Sequence, residues 1–258
     1  MLIISPSDCI RCYFDNVSRS VRKSEIAELD VFYAETKDLN SRYFDLKNYI
    51  TDDEQLRADK FHFDEDMETY VSCHATLRLV LAKELNTDPS EISFVKGRNN
   101  KPGLTDNPFY FNITHTRHAF AFIISRRFYV GIDLEKINLN MDFYSIIRNF
   151  FSDMEREFIL QSHSGVEDRF FLLWTRKEAL LKALGTGIID NLTQIEVSGE
   201  ENYLNRRLFD DLISDSAFTE LFIYSQKLQN YYLSIAIPRK ATININHLNN
   251  ENIVSYLD

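Results

Sequence analysis

The sequence predicts an α+β protein built from two halves, each with long helices followed by antiparallel strands. Apolar residues recur at helical spacing over residues 66–85, and a second long helix is predicted over residues 166–184. Short segments with strand-type composition follow each of these helices. The pattern changes near residue 130 without a flexible linker, so we expect halves at residues 1–130 and 131–258 that share an interface.

Capping residues mark the helix ends. Thr51, followed three residues later by Glu54, predicts a helix that continues to about residue 61, and Ser152 with Glu155 predicts the start of another. The pair at residues 88–89, Asp-Pro, ends the 66–85 helix. Gly185 is placed as the stop of the second long helix.

Segments outside the predicted helices have sequence patterns that are typical of β-strands. The predicted strands are residues 92–95, 109–113, 119–125, 128–134, 219–225 and 231–237, with a loop at 97–103. Because only Arg126 and Arg127 separate 119–125 from 128–134, we expect these two strands to form a hairpin. The last two strands predict a second hairpin. Residues 1–50 contain no motif that predicts a function.

Composition excludes several classes of protein. The chain has 258 residues, 44% of them hydrophobic, which excludes wholesale disorder. Its net charge of −10 argues against non-specific binding to nucleic acid or to an anionic membrane. The sequence has no apolar run of membrane-spanning length, and we expect no signal peptide. Three cysteines are too few for a disulfide scaffold, so we expect a cytoplasmic protein.

Two carboxylates fall on one face of a predicted strand. Side chains alternate along a strand, so Asp133 and Glu135 point the same way and repel each other unless a cation or proton lies between them. Oxygen ligands of this kind suit Mg²⁺ together with substrate phosphate. The alternative interpretation is the exposed polar face of an edge strand.

Trp174, Glu178 and Lys182 lie four residues apart and share one face of the predicted 166–184 helix. The neighbouring residues 179–181 are apolar, so a carboxylate and an ammonium on this face need partners. An ordinary i,i+4 ion pair would explain them. The functional alternative is a third metal ligand, Glu178, beside a phosphate-neutralising cation, Lys182.

A third cluster ends the 109–113 strand. Thr114 and His115 could hold a phosphate through their donors, and Lys101 with Pro102 adds a cation on a nearby turn. The alternative is a strand end capped by its own hydroxyl groups.

Five motifs taken in chain order resemble those of the 4′-phosphopantetheinyl transferases. The length agrees with the larger, two-half Sfp-type branch, and the similarity extends from about residue 52 to at least residue 195. The motifs are Lys-Pro at 101–102, Phe-Asn-Ile-Thr-His-Thr at 111–116, Gly-Ile-Asp-Leu-Glu at 131–135, Phe-Phe-Ser-x-x-Glu at 150–155 and Trp-Thr-x-Lys-Glu-Ala-x-x-Lys at 174–182.

The resemblance implies two pseudo-twofold-related halves, each an antiparallel sheet packed against a long helix, and a self-contained monomer. It implies transfer of 4′-phosphopantetheine from coenzyme A to a serine of an apo acyl or peptidyl carrier protein, with release of 3′,5′-ADP. The implied cofactor is Mg²⁺, with Mn²⁺ as the alternative. Fatty-acid, polyketide and nonribosomal-peptide carriers all remain open as partners.

Matching the motifs also assigns roles to individual residues. The implied metal ligands are Asp133, Glu135 and Glu178, with Glu178 as the candidate base and Lys182 near the pyrophosphate. The implied coenzyme A contacts are Thr114, His115, Lys101 and Pro102, with Arg57 and Lys60, joined by Arg78, as the remaining candidates for the 3′-phosphate. Glu155 matches a glutamate that can act as a base through water, but it also closes a capping box, and both interpretations stay open.

Two other function classes use the same residues. One is a Mg²⁺-dependent phosphohydrolase or nuclease with the same three carboxylates, and the other is an inactive carrier-binding module.

Charge is unevenly distributed: residues 52–68 contain eight acidic and two basic side chains, and residues 96–127 contain six basic and one acidic. Residues 169–182 contain four basic side chains and one acidic. Positive charge therefore gathers where coenzyme phosphates and an acidic carrier would bind.

Overall fold

The computed structural model describes residues 1–14, 26–105, 109–187, 189, 192–209 and 220–257. The helices are α1 (Tyr43–Lys47), α2 (Asp52–Ala58), α3 (Asp64–Leu85), α4 (Phe143–Phe150), α5 (Asp153–Leu160), α6 (Val166–Leu184) and α7 (Val254–Leu257). The strands are β1 (Leu2–Ile4), β2 (Cys9–Phe14), β3 (Ala27–Glu35), β4 (Phe94–Lys96), β5 (Pro102–Leu104), β6 (Tyr110–Thr116), β7 (Ala119–Ser125), β8 (Gly131–Lys136), β9 (Glu201–Leu204), β10 (Glu220–Leu228), β11 (Tyr231–Ile237) and β12 (Ala241–His247).

The strands form two five-stranded sheets and one small hairpin. The first sheet has the order β1-β12-β3-β7-β6, the second β8-β11-β10-β2-β9, and β4 pairs with β5. Side chains alternate along β7 and show how the layers are stacked. Phe120 and Phe122 face α3, while Ala121 and Ile123 face the second sheet. α6 covers the outer face of the second sheet. The fold is α+β, as the sequence predicts. It has four layers, with the two sheets in the middle.

The two halves repeat one topology. In the first half the chain runs β3, α3, β6, β7, and the order in the sheet is β3-β7-β6. In the second half it runs β8, α6, β10, β11, and the order is β8-β11-β10. The strand before each long helix therefore pairs with the second strand of the hairpin that follows, β6–β7 in the first half and β10–β11 in the second. This is the relationship expected of two pseudo-twofold halves, although no sequence repeat reveals it.

Both ends of the chain cross between the halves. β2 belongs to the second sheet and β12 to the first. These strands also introduce one parallel pair into each sheet, β12 with β3 and β2 with β9, so the sheets are mixed rather than wholly antiparallel. Parallel pairing is accessible here because each pair joins strands that are far apart in sequence.

The predicted hairpin across Arg126 and Arg127 is wrong. β7 pairs with β6 and β3, whereas β8 pairs with β11 in the other sheet, so the chain steps between sheets at this point. Phe128 and Val130, predicted as strand, are instead buried between the sheets just before β8. The spacing of two strands in sequence carries no information about which sheet each one joins.

Most other predicted elements are confirmed. Both capping boxes are formed, α3 and α6 have the predicted extents within two residues, and β10 and β11 form the late hairpin. Residue 219 lies outside the described residues. The predicted loop at 97–103 contains part of β5, and the strand predicted at 92–95 is found at Phe94–Lys96. The strands β1 to β3 lie in the segment where the sequence shows no motif.

Candidate active site

The site lies where the edge strands of the two sheets meet, and side chains of β6 join them. The Asn112 side-chain oxygen accepts a hydrogen bond of 2.8 Å from the backbone N–H of Ile132. The Thr114 hydroxyl accepts one of 3.2 Å from the N–H of Leu134. These bonds stand in for the backbone ladder that a continuous sheet would have. The two halves therefore meet along β6 and β8.

Gly131 brings β8 against α6. A Cβ atom at this position would lie 2.0 Å from the carbonyl oxygen of Ala179 and 2.3 Å from the backbone nitrogen of Ala183. Only glycine permits such an approach of strand to helix. The close packing places Asp133, two residues further along β8, beside the last turns of α6.

Asp133 is the centre of the site. Its Oδ1 accepts a 2.6 Å hydrogen bond from the Lys182 ammonium and a 3.2 Å bond from the Thr114 hydroxyl, while only 3% of the residue is exposed. Its Oδ2 is also buried, and no hydrogen-bond partner for it is found in the described part of the chain. A buried carboxylate oxygen without a partner is costly, so this atom is suited to receive a cation or a ligand donor.

Glu135 and Glu178 add two carboxylates to this region. Burial, together with the negative charges of Asp133 and Glu178, raises the pKa of Glu135 to about 7, although Lys182 and a hydrogen bond from Trp174 act in the opposite direction. Burial and the charge of Asp133 also raise the pKa of Glu178. Three mutually repelling carboxylates face one ammonium, and a divalent cation would relieve that repulsion.

The donor chemistry thus fits a hard divalent cation. The three side chains predicted as ligands are electrostatic neighbours, and one oxygen of Asp133 has no partner among the described residues. Within the described residues, no three His, Cys, Asp or Glu side chains are already arranged around one point as a bound metal requires. The metal-ligand assignment of Asp133, Glu135 and Glu178 therefore stays a prediction, and it requires side-chain rearrangement around the ion.

Thr114 and His115, predicted together as phosphate contacts, differ in their surroundings. The Thr114 hydroxyl donates to Asp133 and accepts from Lys182 and from the backbone of Leu134, which uses its full bonding capacity. His115 is exposed at the edge of the site. Desolvation by the surrounding protein, followed by the positive charges of His74, Lys182 and Arg57, lowers its pKa. Of the two, His115 is placed to meet a ligand from solvent.

The three residues predicted as candidates for binding the 3′-phosphate also differ in their accessibility. The Arg57 guanidinium lies over the Tyr70 ring, 5.5 Å from its centroid, and its charge acts on His115. Lys60 follows α2 and is exposed. Arg78 is instead buried, donating to Glu54 at 2.9 Å and to the backbone carbonyls of two residues in the segment after α3. Arg57 and Lys60 remain accessible to an anion, and Arg78 does not.

Lys101 and Pro102 lie between the halves. The Lys101 ammonium donates to the carbonyl oxygens of Val130, Lys182 and Ala183 at 3.1, 2.5 and 3.4 Å. Burial lowers the pKa of Lys101 to about 8. Pro102 lines a cleft of about 270 Å³ to which both halves contribute, with Asn112 on one side and Lys182 on the other. A cleft between two halves of a protein is a common place for a small-molecule ligand.

Glu155 lies away from the carboxylate cluster in a closed environment. Its carboxylate is fully buried, accepts from the Lys177 ammonium at 2.6 Å, and accepts the backbone N–H groups of Ser152 and Val197 at 3.0 Å each. Burial raises its pKa to about 6 despite the positive charge of Lys177. The capping-box interpretation is confirmed, whereas the geometry gives Glu155 no access to the site and no support for a role as base.

The first half contains a counterpart of this arrangement. Glu54 also closes a capping box, also pairs with a cation on the following long helix, Arg78, and that cation also donates to carbonyls of the segment after the helix. In the second half Lys177 donates to the carbonyl of Leu192, at 2.8 Å. The same glutamate–cation link therefore recurs in both halves, which assigns Glu155 a role in holding α5 to α6.

Family models cover most of the described chain. The model described as "4'-phosphopantetheinyl transferase, N-terminal" matches residues 37–127, and the model described as "4'-phosphopantetheinyl transferase superfamily" matches residues 129–236. The 4'-phosphopantetheinyl transferase HetI of Nostoc sp. is 31% identical over 163 residues, which are 61% of this chain and 68% of HetI. The chain belongs to the 4′-phosphopantetheinyl transferase superfamily.

Other members of the superfamily match over similar stretches. The phosphopantetheinyl transferase of Thraustochytrium sp. is 27% identical over 74% of this chain and 71% of its own length. The 4'-phosphopantetheinyl transferase Sfp of Bacillus subtilis is 28% identical over 55% of this chain and 62% of its own length. The similarity thus spans about two thirds of these relatives. No helix in the described part of this transferase-family chain is long and apolar enough to cross a membrane.

Several residues that shape the site of this superfamily member are not singled out by sequence reasoning. Asn112 joins the halves, Gly131 sets the distance between strand and helix, and Lys177 holds Glu155. A glycine within a strand pattern is a signal of close backbone approach, so Gly131 could have been recognised. Asn112 and Lys177 stand within the quoted motifs, but nothing local assigns them these roles, because their partners lie far away in sequence.

Proposed function

We propose that this protein transfers the 4′-phosphopantetheine group from coenzyme A to a serine of an apo carrier protein and releases 3′,5′-ADP. The observation that carries the proposal is Asp133, which is held by Lys182 and Thr114 while its second carboxylate oxygen is buried without a partner in the described chain. It lies in a superfamily member, at the junction of the halves, beside two carboxylates of raised pKa.

The reaction requires that the charge of the diphosphate is neutralised and that the serine hydroxyl is aligned with the phosphorus. A bond forms between the serine Oγ and the phosphorus that carries pantetheine, the bond from that phosphorus to the 3′,5′-ADP leaving group breaks, and the serine proton passes to a base. Asp133, Glu135 and Glu178 would hold Mg²⁺, or Mn²⁺ as the alternative. The ion would supply positive charge to the diphosphate. Lys182 adds a second positive charge directly beside Asp133.

Glu178 is the proposed base. It lies on α6 in the same carboxylate cluster, where burial and the charge of Asp133 raise its pKa in the metal-free protein, and a carboxylate at this place could accept the serine proton. Glu155 is not a competing candidate because its oxygens are occupied by Lys177 and by backbone N–H groups.

The partners follow from the charge distribution. His115, Arg57 and Lys60 would meet phosphates of coenzyme A at the edge of the site, while the cleft beside Pro102 would take another part of it. The net positive segment 96–127 favours an acidic carrier protein. We propose that the protein works as a monomer, since both halves of the proposed site come from one chain. We also propose a cytoplasmic location, on the ground of its three cysteines.

The deciding experiment measures the mass of the carrier. The full-length protein is incubated with coenzyme A, MgCl₂ and a panel of apo fatty-acid, polyketide and nonribosomal-peptide carriers, with an EDTA-treated sample as control. We expect one carrier class to gain a single phosphopantetheine, and EDTA to stop the reaction. Hydrolysis of coenzyme A without any carrier mass shift would identify a phosphohydrolase, and carrier binding without modification would identify an inactive binding module.

A further inference from the structure

The Lys101 ammonium is fully used inside the protein. It has three N–H groups, and three carbonyl oxygens accept from it: those of Val130, Lys182 and Ala183. Val130 immediately precedes β8, and the other two acceptors lie in the last turn of α6. The carbonyls at the end of a helix have no partners within the helix, so they depend on an external donor. A cation at this end also interacts favourably with the helix dipole.

The neighbouring Asn99 acts on the same helix end. Its side-chain amide donates to the carbonyls of Gly185 and Thr186 at 2.7 and 2.9 Å. Asn99 and Asn100 both have left-handed backbone conformations, with φ of 52° and 60°, which turn the β4–β5 hairpin around the end of α6. A loop of the first half thus supplies donors to four carbonyls that belong to the second half.

The elements joined by Lys101 are those that carry the charged centre of the site. Lys182, whose carbonyl is held by Lys101, uses its own ammonium to hold Asp133 at 2.6 Å. Val130 immediately precedes β8 and lies three residues before Asp133. Between them Gly131 allows direct contact of β8 with α6. Movement of the helix end relative to the strand would therefore change the distance between Lys182 and Asp133.

We infer that Lys101 is a positioning residue: it fixes the end of α6 against β8 and thereby sets the contact between Lys182 and Asp133, and it does not bind coenzyme A phosphate. This inference rests on the proposed function and deepens it. A phosphate oxygen could reach the Lys101 ammonium only by displacing one of its three carbonyl partners, which would leave a helix-terminal acceptor without a donor.

The choice of substitutions separates the two roles. Lys101→Met keeps most of the side-chain length and removes the charge and all three donors. Lys101→Arg keeps the charge, but its planar guanidinium cannot direct three N–H groups at carbonyls that converge on one small ammonium. A phosphate-binding lysine is commonly replaced by arginine with retention of binding, because arginine also binds phosphate well. Lys47→Met, at the exposed last residue of α1 and outside the basic segments, is the matched control.

The experiment compares these full-length variants in the carrier-modification assay with coenzyme A varied, and measures coenzyme A affinity separately by calorimetry. For both Lys101→Met and Lys101→Arg we expect kcat to fall roughly tenfold to a hundredfold, because a displacement of about 1 Å is enough for such a loss. The KM and Kd for coenzyme A should stay within about twofold of wild type, and Lys47→Met should leave kcat, KM and Kd unchanged. Lys101→Cys alkylated with 2-bromoethylamine, which rebuilds an ammonium at nearly the same length, should recover most of kcat, with alkylated wild type as control.

A second readout needs no activity. Hydrogen exchange of the segment at residues 178–187 reports the end of α6, where the N–H groups of Gly185 and Thr186 bond to the Leu181 carbonyl. We expect faster exchange in Lys101→Met than in wild type or Lys47→Met. If the wild-type protein modifies no carrier, the proposed function fails, while the exchange result still decides whether Lys101 holds the helix end.

Two results would overturn the inference. One is a large rise in the KM and Kd for coenzyme A with unchanged kcat, reversed by Lys101→Arg, which would make Lys101 a phosphate ligand. The other is wild-type kcat in folded Lys101→Met together with unchanged exchange of residues 178–187, which would show that the carbonyl contacts do not position the site.

Discussion

The Lys182 ammonium lies 2.6 Å from Oδ1 of Asp133, and the same ammonium lies 3.1 Å from the Thr114 hydroxyl. These three side chains come from α6, β8 and β6, so the contact joins both halves of the molecule. It occupies one oxygen of Asp133 and leaves the other buried without a partner among the described residues. The predictions below test what holds this contact in place and what it does.

Gly131→Ala should damage the site more than the fold. The added Cβ would meet the Ala179 carbonyl at 2.0 Å, so α6 must move away from β8, and overpacking of this kind costs about 1–3 kcal/mol. We expect lower free energy of unfolding in urea and a larger proportional loss of transferase rate. Gly103→Ala is the control, because its Cβ would meet only Val95 at 3.9 Å. Equal behaviour of the two variants would show that the close approach at residue 131 does not matter.

The carboxylate cluster should make the metal-free protein less stable as pH rises. Folding raises the pKa of Glu135 from 4.5 to about 7, first through burial and then through Asp133 and Glu178. Between these values the folded state binds more protons than the unfolded state, so the free energy of unfolding decreases as pH increases through this window. Thermal unfolding in EDTA between pH 4.5 and 8 measures the slope.

Glu135→Gln supplies the comparison for this pH effect. The variant should show a flatter pH dependence of the melting temperature because it removes the group whose pKa is raised. Added MgCl₂ should stabilise wild type above pH 7 more than it stabilises Glu135→Gln. The same slope in both proteins would remove Glu135 from the cluster.

Glu54 should give stability a pH dependence of the opposite sign to that of Glu135, because its pKa is lowered on folding. Burial alone would raise its pKa, but a hydrogen bond from His74, one from the Thr51 backbone and the charge of Arg78 outweigh it and lower the pKa from 4.5 to about 2. Its contribution is therefore present above pH 4.5 and is lost as pH falls toward 2. Glu54→Gln should cost about 3 kcal/mol at pH 7, since Arg78 is left buried and unpaired. Equilibrium unfolding from pH 2 to 7 should show the difference vanishing at the acidic end.

Glu155→Gln should affect stability and spare the chemistry. Lys177, fully buried, would lose its carboxylate partner at a cost of about 3–5 kcal/mol, while the capping box can still be closed by glutamine. We expect a lower melting temperature with near wild-type kcat in the folded fraction. Adding Lys177→Met should restore part of the stability, because both buried charges are then removed. A loss of kcat of a hundredfold or more in folded Glu155→Gln would restore Glu155 as a candidate base.

Local patterns predicted the helices well because their signals are contained within a few residues. Thr51 with Glu54 and Ser152 with Glu155 close capping boxes over three residues, and Gly185 ends α6 in a left-handed conformation. The face of α6 shared by Glu178 and Lys182 likewise follows from helical spacing. These parts of the fold and of the site could be read from the sequence.

Pairing over long distances could not be read in the same way. Nothing near Arg126 and Arg127 tells that β7 and β8 join different sheets, because that choice depends on β11, about a hundred residues further on. Lys101 shows the same limit at the site, since its partners are backbone carbonyls 29, 81 and 82 residues away. Every residue has a backbone carbonyl, so the sequence does not show which of them accept from Lys101.

The central claim is that Asp133 organises phosphopantetheine transfer, and its most direct test is the rate of carrier modification by Asp133→Asn. The apo carrier is weighed by intact mass spectrometry over time with coenzyme A and MgCl₂, beside wild type and Asp168→Asn, at a partly exposed aspartate paired with Lys227. We expect wild type and Asp168→Asn to add one phosphopantetheine at equal rates, and Asp133→Asn to be slower by at least about 10²-fold. Transfer by folded Asp133→Asn at the wild-type rate would contradict the account.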